Sequence, residues 1–374
     1  MTPTQSPSTP RILLYAHAQL GVGHVQRSLL IAAALMEQQG AACMLLACRK
    51  GLDGLDLPSD LHIATLPDWP AADDRGGPAR VRERADRIAE AFRVFLPHAV
   101  LVDHLFLGLG GELAPVLAST PRNPDAPLFA IGVPYGPRPT MRGPRNPGVR
   151  RAIGRYDLAL CYVDARHERP AEAFERQGYL LPEERHDVGY VVEPAFVPAP
   201  PGSPPLVVGL AGGGSTGVGL FRLLESALRT RLDRGEIRLR IVAGPLGDPS
   251  ASCIDASRIQ VLTRSPLRQA LDGASLVVSR CGYNTAYALL RISLPIVFCP
   301  YAGTGSDQID RAAALGRLEG VWTFDEQAGA ASLAARIDEG LGVRPTGRAE
   351  SLDCDGAERA AHVLASLAKR RITL

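Results

Sequence analysis

The feature that most constrains this chain is a strand–glycine turn–helix–strand pattern that appears in both halves. In the second half, Ala274-Ser275-Leu276-Val277-Val278 is a short apolar run. Ser279-Arg280-Cys281-Gly282-Tyr283-Asn284-Thr285 follows, then a helical pattern to about Arg291 and a second apolar run, Pro295 to Cys299. Continuous apolar runs of this length fit buried parallel strands, and the sequence of elements is a βαβ unit. Its turn falls at the carboxyl ends of the strands, where open α/β sheets hold ligands. Asn284 and Thr285 are expected to cap the helix, whose first N–H groups can meet an anion.

The first half opens the same way. Arg11 to Ala16 reads as a strand, His17-Ala18-Gln19-Leu20-Gly21-Val22-Gly23-His24 as a glycine-rich turn, and Val25 to Gly40 as a helix ended by glycine. Cys43 to Ala47 is the next strand. Gly21 and Gly23 allow a tight turn beside the helix start. Further strands are expected at 61–66, 99–102, 128–131 and 157–162, and helices at 80–95, 111–118 and 171–177. Val133 to Gly148, rich in Pro, Gly and Arg, reads as a long loop. It is either a mobile loop serving an acceptor or an inert one.

Six prolines between Glu193 and Pro205 mark a stiff interdomain linker. Beyond it the alternation restarts: strand 206–210, a turn at Gly212-Gly213-Gly214-Ser215-Thr216-Gly217, and helix 218–231. Strands at 238–243 and 259–262, short helix 266–271, helix 308–315 and terminal helices at 330–340 and 356–369 complete it. The expected architecture is α/β, with two Rossmann-like doubly wound domains facing a cleft. Residues 1–10 form a disordered tail, 11–192 one domain, 193–205 the linker and 206–374 the other. Residues 355–374 have the option of packing back on the first domain.

Composition narrows the function classes. A net charge of +2 gives no reason to expect a nucleic-acid partner. No run of about 18 apolar residues is present, so no transmembrane helix is expected. The seven cysteines lack C-x-x-C spacing and read as small buried hydrophobes in a reducing compartment rather than metal ligands. A cytoplasmic protein is expected, with peripheral membrane association as a second option; oligomeric state is left open.

The chain resembles the GT-B glycosyltransferases of the MurG-like group (family 28) and a related bacterial branch of predicted glycosyltransferases. The first-half marks are Gly21-x-Gly23-His24-x-x-Arg27-Ser28-Leu29, Asp103, Gly108 to Glu112-Leu113, and Gly189-Tyr190. The second-half marks are Gly212-Gly213-Gly214, Ser279 to Thr285, Leu294-Pro295 and Asp307-Gln308-x-x-Arg311-Ala312. The resemblance implies a nucleotide-diphospho-sugar donor on the C-terminal domain. It implies a small-molecule or lipid-linked acceptor on the N-terminal one.

On that reading Gly213, Gly214, Gly282 and the helix starts aim N–H groups at the diphosphate. Ser215 and Thr216 add hydroxyls, and Arg280 neutralises the leaving group. Asp307 and Gln308 match the pair that grips sugar hydroxyls, while Gly244 and Leu267 match the nucleotide-base region. No cofactor or metal is expected. Relatives carry an acid that holds the donor ribose; here that position is Ala288. Losing such a hydrogen bond weakens binding by about 1–3 kcal/mol. A nucleotide-sugar hydrolase, or a non-catalytic member with an atypical ligand, therefore stand as alternatives.

His24 leads the first helix and is the candidate general base. Helix capping or phosphate binding is the alternative. Asp103, at a strand end, either orients His24 or caps a helix. His17 is a weaker site candidate, otherwise a loop residue. His104 reads as structural, and Glu112 as part of a helix face.

Overall fold

The computed structural model describes residues 9–18, 22–69, 77–136, 147–212, 215–244, 259–263, 265–303, 307–345 and 352–372. The expected tail (except 9–10), most of the loop at 133–148, and Gly21, Gly213 and Gly214 lie outside the described residues, as does the side chain of Ser215. The strands are β1 (Arg11–Tyr15), β2 (Ala42–Cys48), β3 (His62–Leu66), β4 (Ala99–Asp103), β5 (Leu128–Val133), β6 (Leu158–Cys161) and β7 (Glu184–Asp187) in the first half. The second half has β8 (Leu206–Leu210), β9 (Arg238–Val242), β10 (Ile259–Leu262), β11 (Ala274–Ser279), β12 (Ile296–Phe298) and β13 (Val321–Thr323). Between them run α1 (Gly23–Gln39), α2 (Arg49–Leu52), α3 (Pro78–Phe95), α4 (Ala114–Ser119), α5 (Pro147–Ile153) and α6 (Pro170–Arg176). Then come α7 (Val218–Asp233), α8 (Leu267–Leu271), α9 (Tyr283–Leu290), α10 (Gln308–Leu315), α11 (Gly329–Leu341) and α12 (Gly356–Ile372).

The chain divides into two compact units, residues 1–192 with 353–374, and residues 193–352. In the first, parallel strands stand in the order β3-β2-β1-β4-β5-β6-β7. In the second they stand in the order β10-β9-β8-β11-β12-β13, also parallel. In each unit the chain reverses direction of progress across the sheet at one place, between β1 and β4 and between β8 and β11. Ligands of open α/β sheets bind at such switch points, outside the carboxyl ends of the strands. The central strands are buried along their whole length, as faces covered by helices require.

Three details depart from the sequence reading. The helix expected from Gly111 begins at Ala114 instead. Gly108 and Gly111 take φ values of 77° and 99°, and the intervening loop is wound around the Glu112 carboxylate. That carboxylate accepts from Tyr15 Oη at 2.7 Å and from Gly110 N–H at 2.7 Å, and pairs with the buried Arg84. Glu112 is thus a loop anchor, not a helix-face residue. Part of the expected loop at 133–148 is helical, α5 starting at Pro147, where a missing N–H costs nothing. Strands β7 and β13 were not legible, because one is a charged edge and the other three residues long.

The last helix belongs to the first unit. Ala357, Ala360, Ala361, Leu364, Ala365 and Ala368 form its buried stripe, and it packs against α1. A backbone clip leads into it. Tyr190 N–H donates to Asp353 O (2.8 Å), Gly356 N–H to Tyr190 O (3.1 Å), and Asp353 N–H to Asp164 Oδ2 (3.0 Å). The second unit begins at Glu193, and the proline-rich stretch is tied to that unit where Ala199 N–H donates to Asp272 Oδ1 at 2.9 Å.

A side chain at Gly356 would place its Cβ 2.4 Å from Gly189 O and 2.7 Å from the Tyr190 backbone. Both obstacles are backbone and cannot swing away. Gly356→Ala should therefore destabilise the first unit by about 1–3 kcal/mol. At roughly 2–4 °C per kcal/mol, calorimetry should see its transition fall by several degrees; an unchanged transition would show that the clip gives easily.

Candidate active site

In the first unit, the β1/β4 switch point gathers a polar cluster. His17 follows β1, and His24 is the second residue of α1. Asp103 ends β4 and His104 follows it. All four are buried, with Asp103 only 1% exposed and His24 9% exposed. His24 Nδ1 lies 3.1 Å from Asp103 Oδ2. Arg27, one helical turn after His24, places Nη2 3.0 Å from Asp103 Oδ2 and 2.8 Å from His24 Nδ1. Nδ1 thus has an acceptor and a donor beside it, and the one it uses sets the tautomer. On the other side of the ring, Tyr135 Oη lies 3.3 Å from Nε2.

The Asp103 carboxyl is pushed above its usual range by burial, against the pull of Arg27, His104 and His17. The His17 ring lies tilted against that of His24, with ring centroids 4.0 Å apart. His104 packs edge-on to Tyr135 at 4.3 Å. His104 also has φ +74°, a conformation few residues other than glycine adopt. Such strain concentrates at functional sites. The structure therefore brings together His24, Asp103 and His17, and adds Arg27, His104 and Tyr135. The i, i+3 spacing of His24 and Arg27 was visible in the sequence. The long-range arrival of Tyr135 after β5 was not. Gly23 supplies the first residue of α1.

In the second unit the β8/β11 switch point has its own construction. Gly212 has φ +68°, and a Cβ there would sit 3.4 Å from Thr285 Oγ1, so the two turns adjoin. Gly282 is extended (φ −67°, ψ 147°) and takes the cap position of α9, so Asn284 and Thr285 lie inside the first turn rather than capping it. Space around the Gly282 Cα is open. Gly244, with φ +84°, closes β9, and Leu267 opens α8.

Arg280 is held by backbone carbonyls of the second unit. It is 3% exposed. Nε and Nη2 donate to Thr216 O at 3.1 and 2.8 Å, Nη1 donates to Cys299 O at 3.0 Å, and the guanidinium also pairs with Glu326. The physical reason is desolvation: a buried guanidinium needs its donors filled, and the Thr216 and Cys299 carbonyls fill them. Arg280 fastens the Thr216 turn to the end of β12. Gln308 has a matching role. Its Oε1 accepts from Cys281 N–H and Tyr301 N–H, both at 3.1 Å. Asp307 pairs with Arg311, whose Nη1 donates to Cys281 O at 2.9 Å. Ala288 is buried one turn beyond Asn284 and Thr285. Among the described residues, no group of three or more His, Cys, Asp and Glu side chains is placed to hold a metal ion.

The glycosyltransferase family 28 C-terminal domain model matches residues 210–362. The solved structure of Acinetobacter baumannii MurG superposes with a TM-score of 0.55 at 12% identity, covering 96% of this chain and 99% of that one. The chain has a MurG-like GT-B fold. The spinosyn rhamnosyltransferase SpnG complexed with thymidine diphosphate gives 0.57 at 18% identity, over 96% and 95% of the two chains. Arabidopsis thaliana UGT89C1 complexed with quercetin gives 0.65 at 12%, over 96% and 100%. A search of curated proteins returned no match. Gly212, Thr216, Gly244, Leu267, Arg280, Thr285, Asp307 and Gln308 all fall in the segment that matches the family 28 domain. The His24 cluster lies outside it. Among the described residues no helix is long and apolar enough to cross a membrane.

Two outcomes follow from this geometry. Because the folded Asp103 carboxyl titrates above the unfolded value of 3.8, the folded state holds the extra proton in that window. Its contribution to stability is therefore full below pH 3.8 and is lost as pH rises through the raised folded value. Denaturant titrations at a series of pH values should show wild type losing ground to Asp103→Asn as pH rises, and a gap that widens the other way would reverse the assignment. Arg280→Lys keeps the charge but cannot bridge both carbonyls. It should destabilise the second unit by about 1–3 kcal/mol through unmet acceptors. An unmoved melting transition would argue that the charge alone matters.

Proposed function

We propose that the enzyme moves a sugar from a nucleotide-diphospho-sugar to a hydroxyl of a small-molecule or lipid-linked acceptor, with His24 as general base. The observation that carries this reading is the His24–Asp103–Arg27 arrangement at the β1/β4 switch point. With Nδ1–H donated to Asp103 Oδ2, Nε2 holds the lone pair. It takes the proton of the acceptor hydroxyl as the oxygen attacks the anomeric carbon. The bond from that carbon to the diphosphate oxygen breaks, and its electron pair leaves with the nucleoside diphosphate. Asp103 holds the ring orientation and stabilises the imidazolium as it forms. Positioned proton transfer of this kind contributes typically ~10²–10⁴-fold.

The donor half of the reading rests on the second unit. Gly212 adjoins Thr285 at the start of α9, and backbone N–H groups and hydroxyls of this kind suit a diphosphate. SpnG, of the same fold, is seen with thymidine diphosphate, and UGT89C1 with quercetin, which supports a nucleoside diphosphate donor and an aglycone-type acceptor. Asp307 is assigned to sugar hydroxyls. Arg280 and Gln308 serve the donor indirectly, by fixing the turns. Charge on the leaving diphosphate is met by N–H groups rather than by a metal ion. Ala288 leaves the ribose without a carboxylate, so donor affinity is weaker by about 1–3 kcal/mol than with an acid there.

A panel of nucleotide sugars with candidate acceptors should give acceptor-dependent release of nucleoside diphosphate. His24→Ala should lower that release at least ~100-fold. Release that survives His24→Ala undiminished would remove the base assignment, and release as fast without acceptor as with it would make the protein a hydrolase.

A further inference from the structure

The hydroxyl of Tyr135 has no part in the reaction as written, yet it stands where the reaction needs room. Tyr135 lies just beyond β5 and is 5% exposed. Its Oη is 3.3 Å from His24 Nε2, the nitrogen that must receive the acceptor proton. The rest of the imidazole is enclosed too. His17 lies tilted against it at 4.0 Å, His104 lies parallel at 6.0 Å, and Asp103 Oδ2 and Arg27 Nη2 flank Nδ1. His104, strained at φ +74° and 1% exposed, packs edge-on against the Tyr135 ring and braces it toward His24.

In the tautomer that makes His24 a base, Tyr135 O–H donates to the same lone pair that an acceptor O–H would use. The two hydroxyls are chemically alike and compete for one seat. We propose that Tyr135 is a specificity-determining residue that occupies the acceptor hydroxyl's place on Nε2 and sets transfer above hydrolysis. An acceptor brings the binding of its whole body and displaces the phenol; a water molecule brings a single oxygen and does not. Hydrolysis needs Nε2 to take a proton from water while the water oxygen bonds to the anomeric carbon and the diphosphate leaves with the electron pair. With Tyr135 in place, water must first displace the phenol from Nε2. The inference rests on His24 being the base.

Tyr135→Phe keeps the ring packing and removes only the hydroxyl. Nucleoside diphosphate release from the donor without acceptor should rise roughly 2–10-fold, the worth of one neutral hydrogen bond. The acceptor KM should fall by a similar factor, and the rise should vanish in the His24→Ala/Tyr135→Phe double variant. Hydrolysis that stays level, or falls together with transfer, would overturn the proposal, the second outcome marking Tyr135 as a proton relay instead. Histidine-labelled protein gives a readout that does not depend on turnover. Removing the hydroxyl should move the His24 Nε2 nitrogen resonance, and a resonance that stays put would overturn the contact itself. Absence of turnover in wild type together with a moved resonance would count against the base reading, not against the seat that Tyr135 holds.

Discussion

A carboxylate with 1% of its surface exposed is costly to keep charged unless a cation reaches it. At Asp103 that cation is Arg27, itself 2% exposed, and the pair is mutual. Removing either partner strands a charge in the interior. The rest of the first site depends on this pair. Asp103 fixes one side of His24, and the strand end that carries it leads directly into the strained His104. Arg27 and His24 are joined by a single turn of α1, so the helix start cannot shift without breaking the pair.

The second unit solves a similar problem with different atoms. Its glycine turns lie at strand ends, where backbone carbonyls lose their sheet partners. Arg280 and Arg311 supply donors to Thr216, Cys299 and Cys281, while Gln308 accepts from Cys281 and Tyr301. Arg280 and Gln308, which read in sequence as ligand contacts, fasten these turns as well. The difference matters for reading variants. A fastener acts through geometry and stability, so a substitution that preserves charge does not preserve the bonds it makes.

The strand and helix alternation was legible because buried parallel strands are short apolar runs and the helices have clear periodicity. The glycine turns and the proline-rich stretch were visible from composition alone. What local sequence could not reveal was where side chains end up when strands far apart become neighbours. Arg280 reads as a free cation beside a glycine turn, but it is buried and bonded to Thr216 O and Cys299 O. Glu112 reads as one face of a helix, but two glycines with positive φ break the helix and turn the carboxylate inward. Tyr135 reads as the edge of a proline-rich loop, and only the β1-β4-β5 order brings it to His24. His24 and Asp103 could be paired in advance only because each ends a strand or opens a helix at the same edge of one sheet.

The central claim is that His24 and Asp103 act as one catalytic unit on glycosyl transfer. A double-mutant cycle measures that directly, with kcat/KM for transfer determined for wild type, His24→Ala, Asp103→Asn and the double variant. The account predicts that the double variant is no slower than His24→Ala alone, because Asp103 works through the imidazole. Losses that multiply would show the two residues acting independently and would contradict it.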